Sequence, residues 1–141
     1  MSTYYQDSLQ VSFIWVTLQH EGFHAFQRAG EEKQFEDVSF LANRHRHIFH
    51  VKVSVQVFND DRDIEFIQFK RFLQTFSNYD NGSCEQICDR IYDHIKWNSG
   101  ISLIGKRRML IEVSEDNENG AFKIYEPVMT TATYTTPPTL V

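Results

Sequence analysis

The sequence has few cysteines, prolines and glycines, and it lacks a long apolar segment. Its 141 residues include two cysteines, three prolines and six glycines. No apolar run approaches the roughly 20 residues that a helix needs to cross a bilayer. Lys and Arg number 14 against 19 Asp and Glu, a net charge of −5, so the sequence lacks the overall basic excess of a generic nucleic-acid binder. The composition therefore argues against both membrane and nucleic-acid partners.

The two cysteines lie close together in the sequence. Cys84 and Cys88 are four residues apart on a predicted helix, where a disulfide would require unusual geometry. Free thiols in a reducing cytoplasm are the simpler interpretation. The first ten residues are polar and contain no signal-peptide core. We therefore expect a cytoplasmic protein.

Core-forming residues are plentiful. Hydrophobic residues make up 41% of the chain and aromatic residues 14%, with 12 Phe. A chain of this length typically forms one domain and buries about two-thirds of its unfolded surface without staples. We expect a single domain over residues 1–129, followed by a Thr- and Pro-rich tail over residues 130–141.

Two segments in the first half predict strands. Leu9–Leu18 is apolar on both faces, so we expect other structure or another subunit to cover it. Arg46–Phe58 alternates strictly, with Phe or Val at every odd position from 49 to 57, which predicts one buried face. The segment between them, residues 20–44, has loop signals at Gly22 and Gly30, and Val38–Leu41 could form a short strand.

Two helices are predicted in the middle of the chain. In Asp63–Phe76 a 3-4-3 spacing forms one apolar stripe of Phe66, Phe69, Leu73 and Phe76. Ser83 opens the second helix, and Gln86 three residues later completes a capping-box pattern. The buried face of the second helix is predicted to contain Cys84, Ile87, Cys88, Ile91 and Ile95.

The last third predicts a hairpin. Arg108–Ser114 alternates as a third strand, Asp116–Gly120 forms a turn with a hairpin signal at Asn119-Gly120, and Ala121–Tyr125 returns as a fourth. The order strand, strand, helix, helix, strand, strand predicts an α+β fold, with a four-stranded antiparallel sheet and two helices on one face.

Histidines provide the clearest sign of chemistry. His45 and His47 begin the second strand two residues apart, so both imidazoles lie on one face. With one upstream histidine they could bind a zinc ion and leave a coordination position open. The third ligand could be His24 or His20, and we favour His24 because Phe23 and Phe26 could anchor its loop. The pair alone is a weak signal, since H-x-H also occurs on surface strands.

Two further histidines are interpreted differently. His50 has the opposite parity to His45 and is predicted to be exposed. His94 lies near the C-terminal end of the second helix, where an imidazolium suits the helix dipole, so we expect a structural role.

Four segments, in order, resemble the 6-pyruvoyl- and 6-carboxy-tetrahydropterin synthases, the latter being enzymes of deazapurine biosynthesis. Residues 45–53, HRHIFHVKV, resemble the H-G-H-x-Y-x-V-x-V strand of that family, and residues 64–70, IEFIQFK, its D-F-x-x-L-K helix start. Residues 83–87, SCEQI, resemble its T-S-E-N-L motif, and residues 113–116, VSED, its V-x-E-T motif. The matches extend over nearly the whole predicted domain.

The resemblance implies the tunnelling fold, in which ββααββ subunits join their sheets into an oligomeric β-barrel, here a trimer or hexamer. It implies Zn²⁺ bound by His45, His47 and the upstream histidine. Glu115 would bind the N–H edge of a pterin- or purine-like ring, and we add Glu85, from the third motif, as a substrate-binding candidate. The implied reaction is that of a lyase, an elimination or retro-aldol-type cleavage of a dihydroneopterin triphosphate-like substrate.

The sequence also departs from the family pattern. The family cysteine between the first zinc ligand and the H-x-H pair is missing, as is the Asp-His pair of the interhelical loop, where Ser77–Gly82 offers only Asp80. Cys84 occupies a first helical turn, where a dipole would lower a thiol pKa, but its place in the pattern is structural. A substitute general base, Glu21, Asp80 or Glu65, would be needed.

The remaining candidates are charged residues. Arg62 and Glu65 either decorate a helix start, where acids are favourable, or act catalytically at a subunit edge together with Glu115. Arg46, with Arg44, could bind an anionic substrate. Two alternatives to the enzyme remain: a non-catalytic protein that binds or sequesters a pterin- or purine-like ligand on the same fold, and a purely structural protein.

Overall fold

The computed structural model describes residues 10–128 and shows a four-stranded antiparallel sheet in the order β1-β2-β3-β4. The strands are β1 (Ser12–His24), β2 (His45–Val57), β3 (Met109–Glu115) and β4 (Asn119–Tyr125). Two helices, α1 (Phe66–Leu73) and α2 (Cys84–Asn98), connect β2 to β3. The predicted α+β class and element order are confirmed. The tail at 130–141 and Leu9 lie outside the described residues.

The core lies between one face of the sheet and the two helices. The odd residues of β2 from Phe49 to Val57 are buried, as their alternation predicts. The α2 face from Cys84 to Ile95 is buried against them, and the capping box of Ser83 and Gln86 is present at its start. Burial of such apolar side chains contributes about 1.5–3 kcal/mol each, so this face holds the sheet and the helices together.

The β1 strand is six residues longer at its C-terminal end than its sequence pattern predicts. It continues through Gly22 to His24, because Gly22 is a packing position and not a loop. A Cβ at Gly22 would lie 2.6 Å from Cε2 of Phe49 and 2.9 Å from the carbonyl oxygen of Tyr79. Only a residue without a side chain lets the strand pass under the Phe49 ring, and this extension carries His24 to the start of β2.

The predicted short strand at Val38–Leu41 is wrong. Residues Lys33–Ala42 form a 3-10 helix, kinked at Val38, that follows a shorter 3-10 helix at Gln27–Gly30. The segment does not join the described sheet, although β1 is an edge strand. The Asn43 amide donates to the Phe40 carbonyl, an i to i+3 bond, and the Leu41 carbonyl accepts from the Phe26 amide.

The first helix and the final turn also differ from the prediction. Helix α1 is shorter than expected, and Phe66 is exposed, so its buried stripe consists of Phe69 and Leu73, continued by Phe76 beyond the helix end. In the hairpin the left-handed residues are Asp116 and Asn117, while Asn119 and Gly120 already belong to β4. Side chains of Asp and Asn tolerate left-handed backbone, which explains the shifted turn.

The sheet face opposite the helices is open in the single chain. It presents exposed apolar side chains from both edge strands, namely Phe13, Trp15, Phe122 and Ile124. This is the second apolar face that the β1 sequence predicts. Self-association through the sheet edges stays a prediction. No helix within residues 10–128 is both long and apolar enough to cross a membrane.

Candidate metal centre

Three histidines converge where β1 ends and β2 begins. The antiparallel register places His24 opposite His45, and His47 opposite Gly22, on the helix-facing side of the sheet. One ring nitrogen from each of the three imidazoles lies within 4.8 Å of those of the other two. The rings meet edge to face, with centroids 4.6–4.9 Å apart. We call His24, His45 and His47 the histidine triad.

Each Nδ1 of the triad is already committed to an acceptor. The Nδ1–H of His24 donates to the Gly82 carbonyl at 2.8 Å, and that of His45 to the Asn43 carbonyl at 2.7 Å. The Nδ1–H of His47 donates to Oδ2 of Asp116 at 2.6 Å. A carbonyl or carboxylate oxygen only accepts, so the proton of each neutral ring is on Nδ1 and the Nε2 lone pair is free.

The free nitrogens point inward. The Nε2 of His47 is buried without a hydrogen-bond partner in the described part of the chain. A buried polar atom without a partner costs about 1–3 kcal/mol, so such an atom usually marks a site that another group completes. Imidazole rings whose other nitrogen donates to a carbonyl or carboxylate are the arrangement found at zinc sites. The residues therefore fit a divalent metal.

Two residues that support the triad were not anticipated from the sequence. Asp116 receives the His47 hydrogen bond and also one from the Ile48 amide, and these bonds hold the pKa of its carboxyl below the usual value. Arg90, on α2, donates to the carbonyls of Asn78, Asp80 and Asn81 and so fixes the interhelical loop that presents Gly82 to His24. The sequence signal for Asp116 was its position beside Glu115, at the end of a strand that neighbours β2.

Glu115 is the only acidic residue of the described chain that reaches the Nε2 side of the triad. Its Oε1 lies 3.3 Å from Nε2 of His24 and its Oε2 3.4 Å from Nε2 of His47. A cavity of about 1080 Å³ opens beside it, lined among others by Arg28, Arg44 and Glu85. Of the predicted substrate-binding residues, Glu115 and Glu85 therefore face this cavity.

The other candidates lie elsewhere in the chain. The His20 ring stacks on the ring of Tyr79, with centroids 4.4 Å apart, and is not part of the triad. Arg46 is on the opposite face of the sheet, where its Nε donates to Glu21 at 2.8 Å. The Asp80 carboxylate accepts the Phe23 amide hydrogen.

Arg62 and Glu65 are at the far end of the sheet. Glu65 caps α1 by accepting from the amides of Ile67 and Gln68, and exposed Arg62 pairs with Asp61. Both follow the end of β2, whereas the triad includes its first residues, roughly 40 Å away at about 3.3 Å per residue. A role at a site completed by a second subunit stays a prediction.

The thiols are free but not activated. Burial raises the pKa of the Cys84 thiol to about 12 and that of Cys88 to about 11. The expectation that a helix start lowers the Cys84 pKa is therefore wrong, because desolvation of the thiolate outweighs the dipole. Cys84 lines the cavity as a protonated, apolar group.

Comparison with known proteins supports the fold. The chain is similar to the structure of Caenorhabditis elegans 6-pyruvoyl tetrahydropterin synthase, with a TM-score of 0.57 and 12% sequence identity, over 85% of this chain and 98% of that one. No family model and no curated protein sequence matches the chain. The similarity shows the architecture of the predicted family, and the triad is a set of three histidines that could hold a metal.

Proposed function

We propose that this protein binds one zinc ion through the histidine triad and acts on a pterin- or purine-like metabolite in the adjoining cavity. The observation that carries the proposal is the convergence of three imidazoles, in which the Nε2 of His47 is buried without a hydrogen-bond partner among the described residues. Three imidazoles suit zinc and are the ligand set of several catalytic zinc sites. Bound zinc would supply a Lewis acid beside the cavity.

The shape and charge of the cavity support a ring-shaped, partly anionic ligand. Its volume of about 1080 Å³ accommodates a bicyclic ring with an extended side chain. Glu115 and Glu85 supply carboxylates that accept ring N–H groups. Arg44, whose hydrogen-bond partner is the neutral Asn81 side chain, supplies positive charge for a phosphate, whereas Arg28 is already paired with Glu32. The pterin-synthase architecture makes a dihydroneopterin triphosphate-like compound the first ligand to test.

The proposed reaction is of the lyase type, an elimination or retro-aldol-type cleavage in the ligand side chain. A group of this chain must then remove a proton from the substrate, and Glu21, Asp80 and Glu65 are the candidates. In the single chain each of these carboxylates already accepts a hydrogen bond. Glu21 accepts from Arg46, Asp80 from the Phe23 amide, and Glu65 from the first amides of α1. Either one of these hydrogen bonds would have to open to free a base, or a residue of a second subunit would have to supply it.

A second function, ligand binding or sequestration without turnover, is favoured by this same observation. None of the three candidate bases faces the triad, and the thiol nearest to it, that of Cys84, stays protonated because burial raises its pKa to about 12. A protein of this kind would keep the metal and the cavity but lack the proton relay. A cytoplasmic location is part of either proposal.

Metal analysis tests the proposal. Protein purified in chelator-treated buffer and reloaded with zinc is expected to hold one zinc per chain, and His45→Ala/His47→Ala to hold none. His50→Ala is the matched control, because His50 lies on the other face of the sheet. Zinc-free wild-type protein would contradict the proposal.

Substrate assays then separate the two functions. The loaded protein is incubated with dihydroneopterin triphosphate, and the products are followed by fluorescence and mass spectrometry. Conversion that depends on the triad supports the lyase. Saturable binding with the compound recovered intact supports the binding protein.

A further inference from the structure

We infer that Glu115 is the fourth ligand of the metal in the resting protein, so that the site is closed until a ligand withdraws this carboxylate. The inference rests on the proposed metal binding by the histidine triad. It differs from the role that the sequence resemblance implies, in which Glu115 serves only the ring of the ligand.

The backbone positions Glu115 for this role. It is the last residue of β3 and pairs with Phe49, which is two residues beyond His47 on β2. Its side chain therefore projects from the same face of the sheet as the triad. The Glu115 carboxylate spans two imidazoles, with Oε1 3.3 Å from Nε2 of His24 and Oε2 3.4 Å from Nε2 of His47.

The atoms that face one another here are all acceptors. The ring hydrogens of His24 and His47 are on Nδ1 and point away, toward Gly82 and Asp116. An ionised carboxylate only accepts. Neutral rings therefore direct lone pairs at carboxylate oxygens, which is unfavourable without a cation between them.

A divalent metal resolves this conflict better than a proton does. One proton on a ring nitrogen satisfies a single pair of atoms, whereas a metal accepts electron pairs from three Nε2 atoms and one carboxylate oxygen together. Four protein ligands form the closed tetrahedral coordination that zinc adopts in structural sites. The side chain of Glu115 is 29% exposed, so solvent and ligands in the cavity can still reach it.

Closure by Glu115 couples the two halves of the site. A carboxylate oxygen that accepts hydrogen bonds from the N–H edge of a ring is no longer free to bind the metal. A ligand that engages Glu115 therefore uncovers a coordination position beside itself. An oxygen atom of the ligand would therefore reach the metal only when the ligand's ring is bound to Glu115.

Cobalt substitution tests the inference. Co²⁺ is titrated into metal-free wild type, Glu115→Ala, Glu115→Gln and the control Glu85→Ala, which removes an exposed carboxylate from the same cavity. The visible spectrum and the Co²⁺ dissociation constant are recorded, and azide is then added as a small external ligand. We expect Glu115→Ala to weaken Co²⁺ binding by at least the roughly 10- to 100-fold that loss of a ligand's hydrogen-bond partner costs, and to gain an azide-dependent spectral change. Wild type and Glu85→Ala should lack that change.

Two results would overturn the inference, and they differ in what they leave standing. Equal Co²⁺ affinity and equal azide response in wild type and Glu115→Ala would remove Glu115 from the ligand set but leave the three-histidine site. Absence of Co²⁺ binding by folded wild type would remove the metal site as well. If Glu115→Ala does not fold, Glu115→Gln, which keeps the side-chain volume, decides the outcome.

Discussion

The two ends of β2 each carry a cluster of polar side chains, and the clusters differ in whether their hydrogen bonds are satisfied. At the far end the Arg107 side chain is only 2% exposed, and its donors reach the carbonyls of Ser102 and Gln56 and the carboxylate of Asp63. At the near end the Nε2 of His47 is buried and has no hydrogen-bond partner within residues 10–128. The hydrogen bonds of the Arg107 side chain are complete within the described residues, whereas the histidine triad leaves one buried nitrogen without a hydrogen bond.

Whether the hydrogen bonds are complete distinguishes structural polar residues from candidate functional ones better than burial or charge does. Both clusters lie on or beside the core, and both contain a carboxylate next to a basic side chain of low exposure, 2% for Arg107 and 16% for His47. A saturated network rigidifies a fold, whereas an unsaturated one costs stability unless something binds to it. We therefore assign Arg107 to the fold and the triad to a site.

The largest effect is expected from breaking the saturated cluster. Arg107→Ala should lower the free energy of unfolding by about 3 kcal/mol, the lower end of the range for a buried pair, because Asp63 keeps some solvent exposure. Urea unfolding measures this change. Arg108→Ala, which removes an exposed pair with Glu126, is the control and should cost under about 1 kcal/mol. Similar losses in the two variants would contradict the comparison.

The next effect concerns stabilisation of the folded protein by zinc at the triad. Zinc at a hundredfold its dissociation constant should raise the free energy of unfolding of wild type by about 2.7 kcal/mol, because the ion binds the folded state. His45→Ala/His47→Ala should show no such gain, whereas His50→Ala should keep it. Thermal or urea unfolding with and without zinc measures the gain. A zinc-independent stability of wild type would mean that the triad needs no additional group.

A smaller effect is expected from the hydrogen bond between His47 and Asp116. Asp116→Asn should weaken zinc binding about 10- to 100-fold, because His47 loses an anionic acceptor that raises the basicity of its ring. Glu118→Gln, an exposed residue of the same turn, should leave the affinity unchanged. Competition with a chromophoric chelator measures both. An unchanged affinity in Asp116→Asn would show that the His47–Asp116 bond does not tune the site.

The smallest effect concerns acid stability at the far end. The Arg107 hydrogen bond, together with the Phe58 amide, lowers the pKa of Asp63 from its usual 3.8. The stabilisation from this carboxylate is therefore fully present above about pH 4 and is lost as the pH falls through the lowered pKa. Asp63→Asn should reduce the loss of stability of metal-free protein between pH 4 and pH 2. Asp61→Asn, at an exposed carboxylate, should not.

Much of the fold follows from local patterns. The alternation of apolar and polar residues in β2 specifies a strand with one buried face, and the capping box specifies the start of α2. Both are present as predicted. The extension of β1 does not follow from local pattern, because Gly22 is a strand residue only through its contact with Phe49. The 3-10 helix at Lys33–Ala42 does not follow either, because Val38–Leu41 suits a strand locally but the segment does not join the sheet.

The site divides in the same way. Parity alone predicts that His45 and His47 share a face. It cannot choose between His20 and His24, because both lie on the same face of β1 and only the register sets His24, rather than His20, against His45. Asp116 was missed because its role depends on a pairing between β2 and β3 that no motif encodes.

Two of the three acceptors that orient the triad are main-chain carbonyls, those of Gly82 and Asn43, and one is the side chain of Asp116. A point mutation does not remove a main-chain carbonyl, so the orientation of the His24 and His45 rings can persist when the residues at positions 82 and 43 change. Selection could adjust the electron-donating strength of a single ring, that of His47, through one codon. A centre built in this way could be retained while most of the surrounding sequence diverges.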